Sequence, residues 1–99
     1  MTGMAKAYVI VDVTVTDPEV YEGYRALSTS SVAQYGGRWV VRGGDVEVLE
    51  GSWDPGRVVV IEFDDVAAAR RWYDSPEYAE AREIRQRAST GSLLVVSGV

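Results

Sequence analysis

The groups available for chemistry in this chain are carboxylates, phenols, hydroxyls, ammonium and guanidinium groups, because the sequence contains neither histidine nor cysteine. Histidine is the usual general base and the commonest metal ligand, and cysteine supplies thiolate nucleophiles and zinc or iron–sulfur ligands. We therefore expect a site built from oxygen and guanidinium groups, with neither a metal nor a cofactor.

Two carboxylates, Asp12 and Glu62, are the candidate catalytic residues. Asp12 lies in a stretch, residues 6–13, whose apolar side chains alternate, and Glu62 lies in the apolar run Arg57–Phe63. If the alternating valines face helices, both carboxylates fall on the opposite face of a sheet. Since these two stretches are predicted to be neighbouring strands, we expect the carboxylates to lie side by side. Such a pair raises at least one carboxyl pKa and creates a proton acceptor useful near neutral pH.

Two arginines, Arg38 and Arg42, are the natural counter-ions of these carboxylates. Strict alternation places them on one face of a predicted strand, opposite Trp39 and Val41. One interpretation is a pocket in which they bind a small polar or phenolic molecule that a carboxylate deprotonates. The alternative is a structural ion-pair network in a subunit interface, since such networks also shift pKa values.

The aromatic side chains form a second candidate set. Tyrosine and tryptophan combine an apolar ring with a polar group and suit a pocket for a flat organic ligand. Aromatics at helical spacing are more typical of a core, so only Tyr21 and Trp72, near predicted helix ends, are expected to line a cleft. The others are Tyr24, Tyr35, Tyr73 and Tyr78.

The elements that position these residues begin with a strand over 6–13 and a helix. Asp17, followed by Pro18 and Glu19, combines an N-cap, a proline in the first turn and an acid near the helix N-terminus. The helix is predicted to run to about Tyr35, where two glycines stop it.

The middle of the chain predicts a hairpin followed by a central strand. Arg38–Arg42 is the first strand of the hairpin, Gly43 and Gly44 form its tight turn, and residues 46–50 return. After a turn-rich connection, the very apolar run Arg57–Phe63 is typical of a buried central strand.

The last third of the chain predicts two joined helical pieces and a final strand. Asp65 can cap the first piece, and Ser75 with Pro76 repeats the cap and proline pattern, so the helix breaks and restarts there. A strand over 92–97 follows. The whole order is the α+β, ferredoxin-like βαββαβ arrangement with an extra short hairpin strand.

Length and charge restrict the partners. The 99 residues are expected to form one domain, residues 1–99, and a chain this short gains stability by pairing with a second copy. A net charge of -5 disfavours nucleic acid and anionic membranes. No apolar run approaches the roughly 20 residues of a membrane helix, and the start lacks the pattern of a signal peptide, so a cytoplasmic homodimer is predicted.

A series of short motifs gives the sequence a family resemblance. They are KAYVIV at 6–11, TDPEVY at 16–21, YGGR at 35–38, VRGG at 41–44, VLEG at 48–51, WDP at 53–55, RVVVIEF at 57–63 and WYDSPEY at 72–78. Taken in this order they span nearly the whole chain. Together they resemble the family of domain of unknown function thirteen-thirty (DUF1330).

This resemblance implies a dimeric α+β barrel, in which the sheets of two subunits pack face to face and each subunit keeps a cleft beside its sheet. Members of that superfamily include cofactor-free monooxygenases, isomerases, dehydratases and haem enzymes, and a chain without histidine does not fit the haem branch. Three functions stay open. The first is a homodimer that binds a small organic molecule, with or without cofactor-independent catalysis. The second is a non-catalytic structural or interaction dimer. The third, ranked last, is a regulatory ligand-sensing domain that acts in trans.

Overall fold

The computed structural model describes residues 5–99, which form four strands and three helices in the order predicted for a ferredoxin-like domain. The elements are β1 (Ala7–Val15), α1 (Pro18–Gln34), β2 (Arg38–Arg42), β3 (Arg57–Phe63), α2 (Val66–Tyr73), α3 (Pro76–Ala88) and β4 (Ser89–Ser97). Both the α+β class and the broken second helix are confirmed.

Each helix begins at the cap that the sequence predicts. The Asp17 carboxylate accepts from the backbone N–H of Val20 at 3.2 Å, and the Asp65 carboxylate accepts from Ala68 at 2.7 Å. The Ser75 hydroxyl accepts from the N–H of Tyr78 at 3.2 Å. These side chains satisfy backbone donors that have no partner inside the helix.

The sheet is antiparallel, with the strand order β2-β3-β1-β4, and the helices cover one of its faces. On that helix face, alternate residues of β1 and β3 are buried. They are Ala7, Val9, Val11 and Val13 of β1 and Val59, Ile61 and Phe63 of β3. The other alternate residues lie on what we call the open face, which no helix of the described chain covers.

The connection between β2 and β3 corrects the predicted hairpin. Gly43 has the positive φ of 74° expected at a turn, and its N–H donates to the carbonyl of Val58 at 2.9 Å. Residues 46–50, however, form no strand. Strand β2 pairs with β3 and is an edge strand of the described sheet, and residues 46–50 do not add to its edge but leave the sheet as an exposed loop.

The loop carries apolar side chains into solvent. Leu49 is 83% exposed and Trp53 is 61% exposed. Asp12 on the open face holds the end of the loop by accepting hydrogen bonds from the Trp53 indole and from the N–H of Gly56, both at 2.8 Å.

Within residues 5–99, no helix has the length and apolar character needed to cross a membrane.

Candidate functional site

A cleft opens between α1 and the helix face of β2 and β3. We call it the α1 cleft. Its lining residues are Val11, Tyr21, Tyr24, Arg25, Ser28, Trp39, Arg42, Arg57 and Val59. The innermost part has a volume of about 20 Å³, which is room for about one water-sized group. It continues into a wider cleft of about 270 Å³ that shares Tyr21, Arg25 and Arg57.

α1 supplies one wall of the α1 cleft through side chains at helical spacing. Tyr21, Tyr24 and Ser28 are buried on the inner side of the helix, and Arg25 is exposed beside them. Residues three and four apart lie on one face of a helix, so this wall follows directly from the sequence order.

A β-bulge in β2 supplies the opposite wall. Trp39 pairs with Ile61, and the next paired residue is Val41 with Val60, so Val40 is the extra residue. Because a bulge lets two residues oppose one, Arg42 pairs with Val59 and shares the helix face with Trp39. Arg38 pairs with Glu62 on the open face, so the prediction that Arg38 and Arg42 share a face is wrong.

Arg42 is held in place by neutral groups. Its guanidinium lies 4.0 Å from the centre of the Trp39 ring, a cation–π contact. It also donates a hydrogen bond to the Thr29 hydroxyl on α1. These two contacts orient the guanidinium without supplying a counter-ion.

Arg57 reaches the α1 cleft past Gly43. A Cβ atom at Gly43 would collide with the Arg57 guanidinium, so the absence of a side chain there leaves room for the arginine. Burial raises the pKa of the neighbouring Tyr21 phenol. The positive charge of Arg57 and the hydrogen bond between Arg57 and Tyr21 act in the opposite direction. Tyr21 is a neutral phenol beside a cation, because a tyrosine is protonated at neutral pH.

Tyr24 connects the α1 cleft to a buried polar chain between α1 and α3. Its hydroxyl lies 2.9 Å from the hydroxyl of Tyr78, to which the Nε of Arg85 donates at 3.4 Å. Arg85 is only 7% exposed. Burial raises the pKa of Tyr24 well above its ordinary value, so this phenol stays protonated over the whole physiological pH range.

The charge of the α1 cleft is only partly compensated. Arg25 has an exposed partner, Glu22, at 3.6 Å, and Glu22 also lines the wider cleft. For Arg42 and Arg57, no carboxylate oxygen of residues 5–99 lies within 4.0 Å. Three guanidinium groups from α1, β2 and β3 thus surround an opening whose walls are phenol and indole rings.

Glu62, by contrast, sits in a compensated network at one end of the open face. The Nε of Arg38 donates to it at 2.7 Å and the Tyr8 hydroxyl at 3.0 Å. Arg38 also donates to Asp64 at 3.1 Å, as does Lys6 at 3.3 Å. The hydrogen bond from Arg38 holds the pKa of Glu62 below its ordinary value, whereas the sequence predicted a raised value in this carboxylate pair.

Asp12 and Glu62 do not meet. Glu62 pairs with Tyr8, whereas Asp12 pairs with Val58. These positions are four residues apart along β1, a distance of about 13 Å. The side-by-side carboxylate pair is therefore wrong, because the register of β1 and β3 staggers the two side chains.

Trp72 is in the core and not at a cleft. It is 0% exposed, and its indole donates to the Ser31 hydroxyl at 3.1 Å. Its ring centre lies 4.1 Å from that of Tyr78 and 5.5 Å from that of Phe63. Its predicted position at a cleft is wrong because the side chain projects from α2 into the core, against α1, β3 and α3.

Sequence reasoning placed Tyr21 and Arg42 at a ligand site, and the structure brings both to the α1 cleft. It missed Tyr24, Arg25 and Arg57. The helical spacing of Tyr21, Tyr24 and Arg25 was a usable signal. The positions of Arg42 and Arg57 depend on the bulge and on the turn at Gly43, which simple alternation does not reveal.

Among the described residues, no group of three or more carboxylate side chains lies close enough to hold a metal ion.

The family model described as "Domain of unknown function (DUF1330)" matches residues 6–99. None of the curated proteins matches the chain. Among solved structures, RPA0582 of Rhodopseudomonas palustris, a protein of unknown function, superposes with a TM-score of 0.78 at 22% identity, covering 97% of this chain and 84% of that one.

Two further structures share the fold at lower identity. SnoaB of Streptomyces nogalater, a cofactor-independent oxygenase, has a TM-score of 0.60 at 18% identity, covering 96% of this chain and 94% of that one. A dimeric protein of unknown function with a ferredoxin-like fold from Bacteroides fragilis has a TM-score of 0.50 at 16% identity, covering 97% of each chain.

Proposed function

This chain belongs to the DUF1330 family of domains of unknown function, and we propose that it is a homodimeric protein that binds a small organic molecule in the α1 cleft. The observation that carries the proposal is the convergence of aromatic rings and uncompensated hydrogen-bond donors on one concave site. Ligand pockets are typically clefts with mainly apolar walls and a few convergent polar groups.

The lining fits a flat molecule with polar oxygen atoms. Trp39 and Tyr21 offer ring faces and edges, and the guanidinium groups of Arg42 and Arg57 offer donors. The phenols of Tyr21 and Tyr24 are protonated at neutral pH, as tyrosines ordinarily are, and a phenol O–H can donate to a ligand oxygen.

The ligand is tested by thermal-shift screening with phenols, quinones, lactones and short organic acids, followed by calorimetry. Ser28→Leu is the informative variant, because Ser28 is buried and lines the α1 cleft, so leucine fills it without removing a charge. Ser30→Leu, exposed on the same helix, is the matched control.

Binding that survives in Ser30→Leu and is lost in Ser28→Leu supports the proposal. Equal binding by both variants would place the ligand elsewhere. The absence of stabilisation by any compound would argue for the alternative function, a non-catalytic structural or interaction dimer.

The proposed dimer covers the open face. Ile10 pairs with Leu94 and Tyr8 pairs with Val96, so the centre of this face is apolar. Leu94 is 49% exposed and Val96 is 45% exposed. Burial of such a surface against a second copy removes it from water and stabilises a small domain. The neighbour of the same fold from Bacteroides fragilis is described as dimeric.

The dimer is tested by sedimentation equilibrium of the wild type and Leu94→Asp. We expect a dimer for the wild type and a dissociation constant at least 100-fold higher for the variant, because the substitution buries an unpaired charge in the interface. Arg71→Asp, on the exposed surface of α2, should leave the dimer intact. A monomeric wild type at high micromolar concentration would contradict this part of the proposal.

A second candidate function is cofactor-independent turnover of the bound molecule, the activity named for SnoaB. In the α1 cleft, Tyr24 would donate a hydrogen bond to oxygen as negative charge develops there. The catalytic roles predicted for Glu62 and Asp12 stay predictions. Loss of turnover in Tyr24→Phe with turnover kept in Glu62→Gln would assign the reaction to the α1 cleft, and the reverse result would assign it to the open face.

A further inference from the structure

We propose that the ligand of the α1 cleft is an organic anion, a ring-bearing carboxylic or enolic acid whose charged oxygens lie among Arg25, Arg42 and Arg57. This inference rests on the proposed function and adds the chemical class of the ligand. The observation behind it is a concentrated positive charge in a protein whose formal net charge is -5.

The location of the charge distinguishes Arg42 and Arg57 from the other arginines. Arg25, Arg38, Arg70 and Arg87 each lie within 4.0 Å of a carboxylate. Arg71, Arg82 and Arg85 lack a carboxylate partner among the described residues, but they do not line the α1 cleft. Arg42 and Arg57 have no such partner among the residues that the structure describes, although the chain has 15 acidic residues against 10 basic ones. Two cations kept near each other without a counter-ion repel, and a bound anion removes that cost.

The geometry of the arginines favours a planar oxyanion. Arg42 is oriented before binding by the Trp39 ring and the Thr29 hydroxyl, so little side-chain entropy is lost when it binds. Guanidinium groups donate two parallel hydrogen bonds to a carboxylate and stack on aromatic rings. The protonated Tyr21 phenol beside Arg57 adds a neutral donor.

The dimensions divide the α1 cleft into two parts. The inner volume of about 20 Å³ accepts an oxygen-sized group. The outer volume of about 270 Å³ is close to the lower end of small-molecule pockets, roughly 300 Å³. A molecule with one anionic group on a ring matches this division better than inorganic phosphate or an extended polyanion.

The experiment compares benzoate with benzamide, its neutral counterpart of the same shape, by calorimetry on the full chain at pH 7. We expect benzoate to bind at least tenfold more tightly, because hydrogen bonds to an ionised acceptor are the stronger kind. We expect the preference to weaken with added salt. Inorganic phosphate, an anion without a ring, should bind more weakly than benzoate.

Arg57→Gln should remove most of the preference for benzoate, and Arg71→Gln, which removes an exposed charge on α2, should keep it. Arg42→Gln gives an independent test if Arg57→Gln does not fold. Equal binding of benzoate and benzamide, or full benzoate affinity in both cleft variants, would overturn the inference while the proposed function stands. If no compound of the wider neutral and anionic panel binds, both fail.

Discussion

Arg38 and Arg42 belong to the same five-residue strand, β2, yet their side chains lie in opposite kinds of environment. Arg38 lies on the open face and bonds to two carboxylates, Glu62 and Asp64. Arg42 lies on the helix face and contacts an indole ring and a hydroxyl. The comparison teaches that charge compensation, more than residue type, distinguishes a structural ion network from a site with capacity for a ligand.

The same contrast holds for the phenols of the two regions. Tyr8 donates to Glu62, and that hydrogen bond raises its pKa. The phenols of the α1 cleft have raised pKa values mainly through burial. On the open face the protein has already used its hydrogen-bonding capacity, whereas in the α1 cleft part of it is free for another molecule.

Among the tests of this contrast, Gly43→Ala is expected to have the largest effect on stability and on benzoate affinity. A side chain at φ 74° is strained by about 1–2 kcal/mol, and its Cβ displaces the Arg57 guanidinium from the α1 cleft. We expect a lower free energy of unfolding in urea and a roughly tenfold loss of benzoate affinity, the effect of losing one charge-assisted hydrogen bond.

Gly36→Ala is the matched control for that variant. Gly36 has a similar φ of 77°, but a Cβ there meets nothing within 4 Å. It should lose similar stability and keep benzoate affinity. If the two variants lose benzoate affinity equally, Gly43 does not position Arg57.

A smaller loss of benzoate affinity is expected when Arg42 is given a carboxylate partner, as Arg38 has. Thr29→Glu places a carboxylate on α1 next to Arg42, where the Thr29 hydroxyl now accepts its hydrogen bond. Exposed ion pairs contribute up to about 1 kcal/mol, so benzoate should bind up to fivefold more weakly than to Thr29→Gln, the neutral control. Identical affinities in calorimetry would show that Arg42 does not contact the anion.

The smallest effect on binding is expected from Arg38→Gln. Benzoate affinity at pH 7 should stay within about twofold, because Arg38 is on the other face of the sheet. An affinity loss like that of Arg57→Gln would show that the two regions are coupled.

The same variant should change the pH dependence of stability. Arg38 lowers the pKa of Glu62 from 4.5, so the stabilisation from this pair is complete above pH 4.5 and is lost as pH falls through the lower folded value. Arg38→Gln should therefore be less stable than wild type near neutrality, with a difference that shrinks below pH 4.5 in melting temperatures measured by circular dichroism. A difference that grows on acidification would contradict this account.

Much of the fold could be predicted because it depends on local signals. The caps at Asp17, Asp65 and Ser75 each form, and strand alternation assigned the faces of β1 and β3 correctly. Helix caps and strand alternation can be recognised from residues that are only a few positions apart in the sequence. The dimer and the single-domain organisation stay predictions.

The site was harder to predict because it depends on register and on one extra residue. The pairing of Tyr8 with Glu62 is a long-range property that alternation alone does not specify. The bulge at Val40 reverses the face of Arg42. The second strand of the predicted hairpin, residues 46–50, is wrong for a related reason. Turn signals and alternating residues do not reveal whether a segment pairs with the edge of a sheet, and here β2 pairs with β3 alone.

The most direct test of the central claim is a two-dimensional ¹H–¹⁵N spectrum of the three tryptophan indoles during a benzoate titration. Trp39 lines the α1 cleft, Trp53 lies on the open-face side bonded to Asp12, and Trp72 is in the core. Assignment uses Trp39→Phe and Trp53→Phe. We predict a saturable shift of the Trp39 signal, with Trp53 and Trp72 unchanged. A saturable shift of Trp53 with Trp39 unchanged would contradict the account and place the ligand on the open face.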